Sequence, residues 1–310
     1  MRITPVETKG VLRRPGVTLR RWEIWLRMRV LHGDPDMWFT ESRAPEPGSP
    51  WDQSRAHSSA AARIGSGSAV DVMEAEARLR LEAIQDYFVA LRGALRTRSA
   101  YSLHVMCRST IEACAFSAWV FEPEAEPGER LLRGLLLAEQ SLSSQLKSLR
   151  SMHSNRSYEL SADERQDVER ARSEAGNRAD EVNRIIKEIR AELEPRKGVP
   201  LKRPSRTRQV RDMLCGDMGM PQGFDAYHRM SGVVHSEATG IIGTWNLEGT
   251  KPSIDYYTFL EPLHLALCSI HFVLDRRGAC WGETHKGSKL HKIIGRVERI
   301  IEREPGVQVI

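Results

Sequence analysis

Within Tyr227-His-Arg-Met-Ser-Gly-Val-Val-His-Ser-Glu237, an arginine, two histidines, a serine and a glutamate fall within about three turns of a helix. Arginine grips a phosphate through a two-pronged hydrogen bond and stabilises charge developing on it, while histidine titrates near neutral pH and serves as a general base. Arg229 and His235 are therefore the candidate catalytic pair, with His228, Ser231 and Glu237 as supporting polar groups. On an unbroken helix, six steps of about 100° leave Arg229 and His235 roughly 120° apart, so a kink at Gly232 or a second protomer is needed to complete a site. The same geometry places His228, Ser231 and His235 on one face, where the bland alternative is a packing seam or a helix cap.

Two further sets of residues carry chemistry. Arg108 and Glu112 sit one turn apart on an otherwise apolar helix, where an unpaired charge is costly to bury. They are expected to pair with each other or with a neighbouring helix, or to line the same cleft as His235. His264, Cys268 and His271 share a helical face that could hold a transition metal, but no CxxC, HExxH or carboxylate-rich set accompanies them. Buried packing is the preferred reading, with no metal and no other cofactor expected. His285 and His291 fall at a lysine-rich helix start and read as solvated, and the chain has no Walker, GxSxG or glycine-rich phosphate loop.

The Arg229-x5-His235 spacing resembles the arginine-and-histidine motif of the HEPN superfamily of small helical proteins. The resemblance extends loosely to the helical order from about 73 to 280, including Arg108-Ser-Thr-Ile-Glu-Ala113, which is similar to uncharacterised bacterial relatives of that superfamily. It implies an all-α fold and a metal-independent endoribonuclease of toxin or phage-defence type, working as a dimer. Arg229 would then bind the scissile phosphate and His235 would assist attack by the ribose 2′-hydroxyl, leaving a cyclic phosphate. Ribonuclease members often carry a polar residue directly after the arginine; Met230 stands there in this chain. The alternative is a non-catalytic scaffolding or regulatory module of a bacterial defence or stress system, in which the motif is structural.

Composition bounds the rest. Of 310 residues, 40% are hydrophobic, 28% charged and only 6% aromatic, which suits amphipathic helices better than a β-sandwich. The net charge of +5 permits a polyanionic partner such as RNA without requiring one. Five cysteines, an odd number, point to reduced thiols and a cytoplasmic location. Arg20, Arg21, Arg27 and Arg29 interrupt every N-terminal apolar run, so no signal peptide is expected, and Phe259 to Leu274 carries Glu261, Pro262, His264 and His271, too polar for a membrane span.

Residues 1–69 read as a basic, low-order arm and linker, small and polar from Ala56 to Ala69, with Arg21 to Leu31 a short amphipathic helix that binds a membrane surface, a partner or the folded domain. Such sequence ahead of Met73 is also the pattern of a reading frame extended upstream of its start, under which residues 1–72 are not native. The expected fold is an all-α bundle of about seven helices forming one domain from 70 to 304, followed by a 305–310 tail. Met73, Ala77, Leu81, Ile84, Phe88, Leu91 and Leu95 recur at helical spacing, Tyr101–Phe121 reads as a buried helix, and Glu122–Gly128 breaks it. A helix over 129–152 and another from a Ser161/Glu164 capping box to Pro195 form a long charged hairpin. That hairpin would seat a second copy or a protein partner. After the basic connector 196–208 come helices at 206–218, 223–236, 259–274 and 288–303, with 240–257 the only place where strand is expected.

Overall fold

The computed structural model describes Ile24, Met28 and residues 44–97, 99–154, 161–197, 202–234, 260–283 and 288–302. The architecture is an all-α bundle. In chain order the elements are α1 (Pro50–Arg55), β1 (Arg63–Ile64), β2 (Gly67–Ser68), α2 (Ala69–Thr97), α3 (Ala100–Val120), α4 (Pro127–Ser154) and α5 (Ala162–Lys197). They continue with α6 (Arg206–Arg211), a π turn (Asp212–Asp217), α7 (Pro221–Val234), α8 (Glu261–Trp281) and α9 (Ser288–Ile301). No helix among the described residues is long and apolar enough to cross a membrane.

α3 is the hub, packed by α2, α6, α7 and α8. Its sequence dictates this position: Leu103, Cys107, Ile111, Cys114, Ala118 and Phe121 recur every three or four residues and are all buried. α2 and α4 approach closely at Gly134, where an added Cβ would collide with the Met73 side chain. α4 and α5 form the expected hairpin. Ser161 and Glu164 close the capping box reciprocally, Ser161 N–H donating to Glu164 Oε2 at 2.8 Å and Glu164 N–H to Ser161 Oγ at 3.2 Å. Only the second half of α5 buries a stripe, through Val182, Ile185, Ile186, Ile189 and Leu193, whereas its first turns are exposed and stand away from the core. The helix runs two residues past Pro195 rather than ending there, because a proline in the last turn forfeits only one backbone hydrogen bond.

The folded region does not begin near residue 70. Trp51 is fully buried, its ring 5.3 Å from Phe121 and 5.8 Å from Trp281, with Nε1–H donating to Glu74 at 3.1 Å. Residues 56–69 are not a linker: Ala60, Ile64 and Ala69 are buried, and the small side chains of Ala60 and Ala69 allow close approach. The strand among the described residues also lies here. β1 and β2 pair antiparallel as Arg63↔Ser68 and Ile64↔Gly67 around Gly65, whose φ of +62° suits a two-residue hairpin loop. Ile24 and Met28 are helical and buried in the same core, so of the three docking options for Arg21–Leu31 these two residues take the folded domain. The strand expected at 240–257, the 305–310 tail and His285 lie outside the described residues.

Arg130 fixes α1 to the α3–α4 turn. It is completely buried, and its guanidinium donates to Pro50 O (2.6 Å), Ser54 Oγ (2.9 Å), Glu122 O (2.9 Å), Pro123 O (3.2 Å) and Ala125 O (2.8 Å). Burial lowers its pKa from the usual arginine value.

Candidate functional site

α7 starts at Pro221, whose missing N–H costs nothing in a first turn, and packs against α8 at Gly223, where a Cβ would meet Leu265 Cδ1 at 2.7 Å. Its inward face carries Ala226, Tyr227 and Met230, so the residue following the candidate arginine is a core side chain and not part of a site. His228 and Arg229 are exposed.

Arg229 Nη2 donates to Glu261 Oε2 at 2.6 Å; the arginine side chain is 52% exposed and the glutamate side chain 8%. Glu261 sits in the first turn of α8, where the helix dipole favours a carboxylate. The carboxylate in turn holds the guanidinium at the surface. His228 stands edge-on to Phe224 at 4.5 Å, and Ser231 is half-buried one turn further on. α7 is unbroken through Gly232, so no kink there brings residues together. His235 and Glu237 lie outside the described residues.

Arg108 and Glu112 do pair, at 2.9 Å, and Glu112 also accepts from the Tyr227 hydroxyl at 2.9 Å and lies 3.3 Å from Arg206. Burial, and after it the charge of Glu112, pushes the Tyr227 phenol above its ordinary pKa. This network joins α3 to α6 and α7. Tyr227 and Arg229 are two residues apart, about 200° around α7, so Arg108 and Glu112 face a different side of the helix from the Arg229–Glu261 pair.

On α8, His264 Nε2 lies 3.4 Å from Cys268 Sγ and 3.2 Å from Glu298 Oε1 of α9, whereas His271 Nδ1 turns to Asp275 at 2.9 Å. Burial, with Glu298 adding to it, pushes the Cys268 thiol up to about 12, which leaves it protonated at neutral pH. Among the described residues no group of three His, Cys, Asp or Glu side chains is arranged to hold a metal. All five cysteines are free thiols.

Sequence reading missed a cleft of about 740 Å3 between α3, the connector 202–204, the π turn and α8. Arg276 ties two of its acids together, lying 2.8 Å from Glu122 and 3.3 Å from Asp217. Burial raises the Asp217 pKa, and Arg276 opposes the rise. The helix expected over 259–274 continues to Trp281 and stops at Gly282 with φ of +82°, which is what brings Arg276 to the cleft. No family model, no curated protein and no solved structure matches the chain.

Proposed function

We propose that the chain is a metal-independent, RNA-directed phosphodiesterase in which Arg229 engages the scissile phosphate and His235 receives the proton of the attacking ribose 2′-hydroxyl. The 2′-oxygen bonds to phosphorus, the bond to the 5′-oxygen breaks, and the departing oxygen takes up a proton, leaving a 2′,3′-cyclic phosphate and a 5′-hydroxyl. The supporting observation is the Arg229–Glu261 pair: a nearly buried carboxylate aims a guanidinium whose side chain remains half in solvent, as a pre-positioned phosphate ligand requires.

A second reading, a non-catalytic helical module, draws on the same pair. If neutralising Glu261 is the whole task of Arg229, the motif is structural, and the exposed first turns of α5 are the surface for a partner. Arg229→Lys separates the two. Lysine keeps the charge beside Glu261 but lacks the planar fork, so the fold is retained while RNA cleavage in EDTA falls by about a hundredfold or more. Cleavage unchanged in Arg229→Lys contradicts the catalytic role.

A further inference from the structure

The cleft beside α3 contains an unusual polar group. Gln209 of α6 lines it and is only 4% exposed, yet among the described residues neither its Oε1 nor its Nε2 has a hydrogen-bond partner. Native folds rarely leave both atoms of a buried amide unpaired, and an amide presents a donor and an acceptor side by side. That pattern complements the edge of a nucleobase. Ala115, Ala118 and Trp119 add a wall with apolar surface on which a flat ring can lie.

The exposed mouth is cationic. Lys202, Arg203 and Arg208 line it, and among the described residues the acidic neighbours of the two arginines are loose, Glu139 at 3.9 Å and Asp212 at 3.5 Å, so that a phosphate can displace them. Glu122 and Asp217 share Arg276, which tempers the repulsion they would exert on an anion. The volume, about 740 Å3, falls in the range of small-molecule sites. The π turn that widens the chain at Asp212–Asp217 is an irregularity of the kind often found at such sites.

We propose that this cleft binds a nucleoside phosphate, with the Gln209 amide reading the base edge and Lys202, Arg203 and Arg208 holding the phosphate. The site shares no residue with Arg229 or His235, so it stands or falls separately from RNA cleavage. The nucleotide is either free or one residue of an RNA chain.

Calorimetric titration of the full chain in EDTA with AMP, GMP, CMP and UMP, with a short RNA oligonucleotide and with inorganic phosphate tests this. At least one nucleotide probe is expected to bind, about ten- to a hundredfold more weakly in Gln209→Leu and with no change in His235→Ala. Arg203→Glu with Arg208→Glu, both exposed substitutions, should weaken binding most at low salt and by less as salt rises. Binding of the oligonucleotide alone, weakened in Gln209→Leu, keeps the site and assigns it to RNA. Absence of binding by every probe, inorganic phosphate binding as tightly as the nucleotides, or Gln209→Leu binding like the unmutated chain overturns the proposal.

Discussion

Arg130→Met should lower the unfolding free energy by about 3–5 kcal/mol, because five acceptors lose their donor together, two of them in buried hydrogen bonds, and leaving a buried acceptor unpaired costs about 1–3 kcal/mol. The guanidinium reaches both the first turn of α1, through Pro50 O and Ser54 Oγ, and the turn between α3 and α4, through the carbonyls of Glu122, Pro123 and Ala125. Arg130→Lys should recover little, because one ammonium cannot span acceptors on two segments that a planar fork bridges. Urea titration checks both variants; a loss below about 1 kcal/mol in Arg130→Met would mean the carbonyls find other donors.

Trp51→Ala should cost about 3–5 kcal/mol, the usual penalty for truncating a fully buried aromatic side chain. The cavity would open between Phe121 and Trp281, removing two aromatic contacts at 5.3 and 5.8 Å. Glu74 would lose the indole N–H but keep Arg55 at 2.6 Å, so the penalty is chiefly one of packing. This variant also tests whether the segment before residue 70 belongs to the fold. An unchanged urea midpoint would mean that it does not.

What was legible in the sequence follows from the range of the interactions concerned. α2, α3, α4 and the capping box of α5 are set by contacts three or four residues apart, so their periodicity is visible before any neighbour is known. The segment 50–68 was misread because Ala60 and the glycines around Ile64 have the composition of a linker; only packing against the bundle reveals them as close-approach residues. Pairs remote in sequence carried no local signal. Arg229 finds Glu261 at a separation of 32 residues and Tyr227 finds Glu112 at 115. The Gln209 cleft needs α3, α6 and α8 assembled before it exists. Arg229 itself was legible as a candidate, but the carboxylate that aims it was not.

The proton transfer proposed for His235 can be measured through the ends that RNA cleavage leaves. The most direct measurement incubates the full chain and its His235→Ala variant with a mixed RNA pool in EDTA and identifies the new ends. Full length matters, because Trp51 and its neighbours belong to the core. Cyclic phosphate ends are expected from the unmutated chain, with a rate lower by about a hundred- to ten-thousandfold in the variant, the usual contribution of a general base. Equal rates from the two proteins, or no cleavage by the unmutated chain, would contradict that role of His235.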